Sequence, residues 1–265
     1  MIRNGSLTIG TTDMDYIRFG RGEKTLILLP GLGDGLTTVK GTALPMALIY
    51  RIFAKDYTVY MFSRKNNLPE GYSTRDMAKD QAEAMDLLGI RKADILSVSM
   101  GGMIAQYLAI DFPEKVGKLV LTVTSARANP ILTESVEEWI ALAKAGDAAG
   151  FMDSNMSRLY SEAYYRKNRW TAPILGKLTK PKSYDRFFIQ AEACLAHDAY
   201  DDLKHIQAPT FVIGGGKDLA LGGEASREIA AAIRNAELRM YDQWGHSLYE
   251  EEKDFNKTVL EYLRK

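Results

Sequence analysis

Apolar residues recur along the chain in two alternating kinds of run. Short runs with few polar interruptions, bounded by turn residues, are Thr25–Leu29 (ended by Pro30-Gly31), Thr58–Phe62, Asp94–Val98, Lys118–Val123 and Thr210–Ile213. A strand that is apolar on both faces is covered on both sides, as in a parallel sheet. Ser6–Ile9 and Asp15–Gly20 come before these as strands, and Glu237–Tyr241 comes after. Helical periods lie between. Ser73–Leu88 has apolar Met77, Ala78, Ala82, Met85, Leu87 and Leu88 and stops at Gly89, while Met100–Phe112, Ala225–Arg234 and Glu251–Leu263 are further helices. Alternating strand and helix predicts an α/β fold whose sheet is built from right-handed crossovers. From Arg127 to His205 the alternation lapses into helical periods without a buried strand. That stretch reads as a helical cap insertion, residues 127–205, within a core formed by residues 1–126 and 206–265.

Composition narrows the class. With 265 residues, 46% of them hydrophobic and 26% charged, the chain is an ordinary globular protein, which excludes disorder and fibres. At this length about 70–75% of the unfolded surface can be buried, so no disulfide or metal staple is required. The 34 basic and 34 acidic side chains balance, so nothing global favours nucleic acid or an anionic membrane, and such a partner would need a local patch. Cys194 is the single cysteine, and neither a CxxC pair nor a Cys/His cluster offers a zinc site. No metal or organic cofactor is called for. The start, Met1 to Ser6, lacks a signal-peptide core, and the longest apolar run, Ala43–Tyr50 with Pro45, is too short to span a bilayer. The expectation is a cytoplasmic protein acting on a small molecule.

The clearest chemical signal is Asp94-Ile95-Leu96-Ser97-Val98-Ser99-Met100-Gly101-Gly102, a buried strand running into a helix through a turn of small residues. A serine at such a turn is held with its Oγ exposed above the sheet, so Ser99 is the candidate nucleophile. The pattern is G-x-S-x-G except that Ser97, still small, takes the first position. An alcohol needs a base near neutrality, and the chain has three histidines. His246 follows strand Glu237–Tyr241 in a loop where a base can reach a nucleophile at the sheet's carboxyl edge, whereas His197 and His205 lie in the helical insertion or at its end. An imidazole in turn needs a carboxylate to fix its tautomer. Asp218 sits in the glycine-rich loop after Thr210–Ile213, while Thr124-Ser125-Ala126, after Lys118–Val123, supplies no rival carboxylate. Pro30-Gly31-Leu32-Gly33-Asp34-Gly35 turns sharply after a strand, so the Leu32 amide can pair with that of Met100 to hold a developing oxyanion. As a phosphate or dinucleotide loop this turn fails, lacking both Gly-Lys-Ser/Thr and G-x-G-x-x-G.

With these pieces in place, along with Gly71-Tyr72-Ser73-Thr74, Ala208-Pro209-Thr210 and Gly245-His246, nearly the whole chain resembles an α/β-hydrolase. The resemblance implies an α/β-hydrolase fold, a mostly parallel, doubly wound sheet with a helical cap. It also implies Ser99 as nucleophile, Asp218 as acid, His246 as base, and an oxyanion hole from the backbone N–H groups of Leu32 and Met100. Many members have His-Gly where this chain has Pro30-Gly31, a change that a hole built from backbone amides tolerates. Cys194–Asp198 and the short insertion are similar to enol-lactonases of the 3-oxoadipate type and to small carboxylesterases. The implied activity is cleavage of a small carboxylic ester or lactone through an acyl-enzyme. Peptidase, thioesterase, C–C hydrolase and cofactor-free haloperoxidase activities stay open, as does a non-catalytic ligand-binding role.

Two features of the insertion bear on substrate. Trp139, Phe151, Tyr160, Tyr164, Tyr165, Trp170, Phe187 and Phe188 are enough aromatic surface to line an apolar pocket over Ser99. From Arg158 to Arg186 eight basic residues stand against Glu162 and Asp185. Facing inward they would select substrates bearing a carboxylate, and facing outward they form a solvated basic face.

Overall fold

Eight strands, β1 (Arg3–Ile9), β2 (Thr12–Gly20), β3 (Lys24–Leu29), β4 (Tyr57–Lys65), β5 (Ala93–Val98), β6 (Val116–Thr122), β7 (Thr210–Gly215) and β8 (Glu237–Tyr241), form one sheet in the order β1-β2-β4-β3-β5-β6-β7-β8. These come from a computed structural model that describes residues 2–265. β1 and β2 form an antiparallel hairpin across Gly10-Thr11, β2 pairs antiparallel with β4, and all later pairs are parallel. Each strand predicted from the sequence is present, most of them extended by one to three residues at an end. β7 is buried along its whole length, whereas β8 is an edge strand exposed over its first residues.

The central strands alternate between two cores. Ile27, Leu29, Ile95, Leu119, Leu121 and Val212 face one layer, which includes α2 (Thr74–Leu87), α3 (Met100–Asp111) and α9 (Glu224–Ala232). Leu26, Leu28, Leu96, Val120, Phe211 and Ile213 face the other, with α1 (Ala43–Ile49) and α11 (Phe255–Arg264). Both faces are covered, which is why these strands lack polar alternation. The apolar run Ala43–Tyr50 contains helix α1 and its C-cap, Tyr50. The helix predicted over Glu251–Leu263 starts later, as α11 at Phe255, and the short α10 (Leu248–Glu251) precedes it, because Glu252 is extended and its carboxylate accepts from Trp244 Nε1 and the Asp254 amide. At α2 the Ser73 side chain caps the Asp76 amide in a reciprocal capping box, and Gly89, at φ +68°, closes the other end.

Sheet order fixes where chemistry can sit. β3 and β5 are neighbours, and the chain leaves the carboxyl end of β3 toward β4 but that of β5 toward β6, so the two connections diverge and open a crevice between them. Leu29 is in register with Ser97, so the turn after β3 and the turn after β5 are neighbours. Between β6 and β7 the chain runs through α4 (Pro130–Lys144), α5 (Ala148–Leu159), α6 (Glu162–Asn168), α7 (Ala172–Thr179) and α8 (Asp185–Leu195).

Two buried polar contacts fasten these helices to the sheet layers. Arg186 of α8 donates to the Asp34 carbonyl at 2.6 Å and carboxylate at 2.9 Å, and Asp34 Oδ2 also accepts the Arg64 amide at 3.0 Å. His197, just after α8, is buried, with Nδ1 2.9 Å from Thr74 Oγ1 of α2 and Nε2 3.4 Å from Gln106 Oε1 of α3. Its Nε2–H donates to the amide oxygen and the threonine hydroxyl donates to Nδ1, so the neutral ring is the form that fits. Burial accordingly pushes its pKa down from 6.5 to about 4.

Between those two values the unfolded chain binds a proton that the native ring refuses, so stability falls as pH is lowered. The expected loss from this residue is about 2 kcal/mol by pH 5 and about 3 kcal/mol by pH 4, relative to neutrality. Urea unfolding of wild type and His197→Gln across this range reads it out: the variant should start less stable at neutral pH and lose less on acidification. Parallel pH profiles would remove His197 as the source.

Candidate active site

The turn from β5 into α3 holds a non-glycine residue at positive φ. Ser99 has φ 55° and ψ −126°, a conformation that L-residues rarely adopt, and costs about 1–3 kcal/mol. Its neighbours hold it there. The Ser99 amide donates to the Thr122 carbonyl at 3.0 Å, and a Cβ on Gly101 would lie 2.1 Å from the Leu29 carbonyl oxygen. At Gly31 an added Cβ would come within 3.2 Å of Ser99 Cβ. Ser97, the departure from the glycine pattern, is fully buried and donates its hydroxyl to the Val120 carbonyl at 2.8 Å. A serine is accommodated because β6 supplies an acceptor.

Leu32 begins the 3-10 turn Leu32–Gly35 and Met100 begins α3. Amides in a first turn have no acceptor within their own helix, which leaves both available beside Ser99. Leu32, Met100, Ser99 and His246 border one small recess of about 20 Å³.

The loops after β7 and β8 bring Asp218 and His246 together. Gly216 and Lys217 amides donate to the carbonyls of Tyr241 and Trp244, both at 3.0 Å, and a Cβ on Gly215 would lie 2.3 Å from the Gly245 carbonyl oxygen. Glycine is therefore required for the two loops to lie this close. Asp218 Oδ1 accepts the amides of Ala220 at 2.8 Å and Leu221 at 2.9 Å, and Oδ2 lies 2.8 Å from His246 Nδ1. A carboxylate only accepts, so Nδ1 carries a proton, and in the neutral ring the lone pair then lies on Nε2. Both side chains are buried, while Ser99 is partly exposed.

Ser99 and His246 also line the main cavity, about 580 Å³, bounded by the turn after β3, α5 and α8. Of the eight aromatics considered above, Trp139, Phe151, Tyr160 and Phe187 line it and the others do not. None of the eight basic residues between Arg158 and Arg186 does. Arg158 pairs with Glu134 and Glu138, Arg186 with Asp34, and the remaining six are exposed. The wall carries acid instead: Glu250, an exposed residue of α10, accepts the Tyr160 hydroxyl at 2.6 Å, and Asp34, already paired with Arg186, contributes a buried carboxylate.

Other candidates fall away on position. His197 is committed to Thr74 and Gln106, and His205 is exposed, 3.8 Å from Asp202. Cys194 borders the small recess, but burial pushes its thiol up to about 12, which leaves it protonated and unreactive. Among the described residues no group of three or more His, Cys, Asp or Glu side chains could hold a metal ion, and no helix is long and apolar enough to cross a membrane. Sequence reasoning missed Glu250 and the pairing of Asp34. No local motif marks Glu250, and the Asp34–Arg186 pair joins residues far apart in the chain.

Known proteins are similar to this chain over almost its entire length. The family model described as alpha/beta hydrolase fold matches residues 24–253. A Stutzerimonas stutzeri protein named "Putative carbamate hydrolase RutD" is 27% identical over 261 residues, covering 94% of this chain and 96% of its own. A 2-hydroxy-6-oxononadienedioate/2-hydroxy-6-oxononatrienedioate hydrolase of Pseudomonas putida is 25% identical, covering 99% of this chain and 94% of its own. The crystal structure of the enol-lactonase from Burkholderia xenovorans LB400 superposes with a TM-score of 0.81 at 21% identity, over 98% of this chain and 100% of that one. From fold, site geometry and family match together, the chain belongs to the alpha/beta hydrolase fold family.

Proposed function

We propose that the protein is a serine hydrolase that cleaves a small, uncharged carboxylic ester or lactone through an acyl-enzyme on Ser99. The observation that carries this reading is the buried Asp218–His246 pair opening onto the same cavity as the strained Ser99. In the first step Ser99 Oγ attacks the substrate carbonyl carbon while His246 Nε2 takes its proton. Asp218 holds the ring in the Nδ1–H tautomer and stabilises the imidazolium. Charge developing on the carbonyl oxygen is met by the amides of Leu32 and Met100, dipoles already oriented before reaction. As the tetrahedral intermediate collapses, the C–O bond breaks and Nε2 returns the proton to the leaving alkoxide. Water, deprotonated by the same nitrogen, then attacks the acyl-enzyme, and Ser99 recovers its proton as the acid leaves.

Cavity charge supports an uncharged substrate. A carboxylate on the substrate would meet Glu250 at the rim and no lysine or arginine along the wall. This is the reverse of what a dianion of the kind named for the Pseudomonas putida relative requires. The apolar wall from Leu36, Met46, Met61, Trp139, Phe151 and Phe187 suits a hydrocarbon substituent.

A fluorophosphonate probe should label Ser99 alone. Ser99→Ala and His246→Ala should each lower kcat on p-nitrophenyl esters about 10⁴-fold or more, with the urea midpoint not lowered for Ser99→Ala and lowered for His246→Ala, which leaves the buried Asp218 carboxylate without its partner, while circular dichroism shows both variants folded. Turnover near wild type in the alanine variants would overturn the assignment. Between two esters of equal chain length, the neutral one should have the higher kcat/KM. Glu250→Gln should narrow that gap by about threefold, the scale of one solvent-exposed charge. Preference for the carboxylate ester would overturn the uncharged-substrate reading while leaving Ser99 in place.

A further inference from the structure

Helix α7 is built the wrong way round for a helix that packs on its own protein. It meets α5 through its smallest residues: Ala172 is buried, and a Cβ on Gly176 would lie 2.2 Å from the Ala148 carbonyl oxygen. Its large apolar residues point outward. Trp170, in the turn before α7, is 69% exposed, Ile174 53% and Leu178 76%. Spaced four apart, they form one continuous stripe, the reverse of a helix whose apolar face seeks the core. Such clusters on a soluble surface mark contact sites.

The border of the stripe is cationic. Arg166, Lys167, Arg169, Lys177, Lys180 and Lys182 are all exposed, and Glu162 is the one acidic residue between Ser161 and Ser183. Arg166 has a loose pair with Glu162 at 3.8 Å, and the other five have no ion-pair partner among the described residues. In a chain of zero formal charge this is a local positive field. It also bears on what can cover the stripe. A two-fold contact with a second copy would set the cations of one stripe against those of the other, whereas an anionic surface compensates them.

The patch is continuous with the candidate active site. Leu178, Lys180 and Lys182 form one wall of a groove of about 680 Å³, and Leu36 and Thr37, on the opposite side, also line the main cavity. We propose that α7 and its flanks are an interfacial docking surface for an anionic lipid bilayer: Trp170, Ile174 and Leu178 enter the headgroup–acyl boundary while the lysines and arginines contact lipid phosphates. Docked this way, the groove opens at the lipid surface. The docking stands apart from the proposed hydrolysis and is tested without it.

The full chain is mixed at low salt with vesicles of phosphatidylcholine alone, or containing about one-third phosphatidylglycerol, and sedimented. Sedimentation with the anionic vesicles alone, reversed by salt, is the expected result, accompanied by a blue shift of tryptophan emission that Trp170→Phe abolishes. Ile174→Glu with Leu178→Glu, and separately Lys177→Glu with Lys180→Glu, should each lower the partition coefficient about tenfold or more, with unchanged circular dichroism and urea midpoint. Failure to bind anionic vesicles overturns the proposal. So does equal binding by the Ile174→Glu/Leu178→Glu variant, since the stripe would then take no part. Light scattering that shows a dimer dissolved by that same variant would assign the face to a second copy instead and overturn it as well.

Discussion

The close approach of backbone to backbone at the carboxyl ends of β3, β5 and β6 is the constraint on which the rest of the molecule depends. Ser99 can adopt its rare conformation because the Thr122 carbonyl holds its amide and because Gly31 and Gly101 leave room that any side chain would fill. The strain is sustained by the surrounding fold, since a free chain would relax it at once. The same proximity brings the start of the Leu32 turn and the start of α3 to one recess beside Ser99. It also dictates Ser97, whose hydroxyl would be a buried liability without the Val120 carbonyl opposite.

Around this point the polar groups divide into fasteners and exposed faces. Asp34, Arg64 and Arg186 lie in or against the interior and join the turn after β3, the end of β4 and α8. His197 joins the segment after α8 to α2 and α3. Breaking any of these would leave an uncompensated buried group, which costs far more than the intact contact contributes. The helices above the site are thereby held at one end by hydrogen bonds that solvent does not screen. α7 lies in the middle of that insertion, attached through small residues, and turns its bulk and charge outward.

The cavity unites these two themes. Its apolar wall comes from both the sheet-edge turns and the overlying helices, and its charge comes from Glu250 on α10 and the neutralised Asp34. The run of basic residues for which the sequence left two readings, carboxylate recognition or a solvated face, lies away from the cavity: Arg158 on Glu134 and Glu138, Arg186 on Asp34, the rest on the surface. Side-chain direction on a helix, which no count of charges contains, separates the two readings.

Much was legible in the sequence because local chemistry dictates it. Runs such as Thr210–Ile213 are apolar on both faces only where a strand is covered twice, and the small residues from Ser97 to Gly102 have one geometric use, a strand-to-helix turn too tight for larger side chains. The same holds for the glycines beside Asp218 and His246, whose spacing already implied loops at neighbouring strand ends. Edges of this reading blurred where local signals compete: the extended Glu252 delays to Phe255 the last helix, which its sequence pattern would have begun at Glu251. What only the tertiary structure decided are the pairings between residues distant in the chain: Asp218 with His246 at 2.8 Å, Arg186 with Asp34, Thr74 with His197, and the outward stripe of α7. The sequence by itself determined which backbone shapes are permitted and which residues are able to do chemistry. Partners, burial and charge balance were left to the packing of sheet and helices, because those energies arise between surfaces that meet only when the chain is folded.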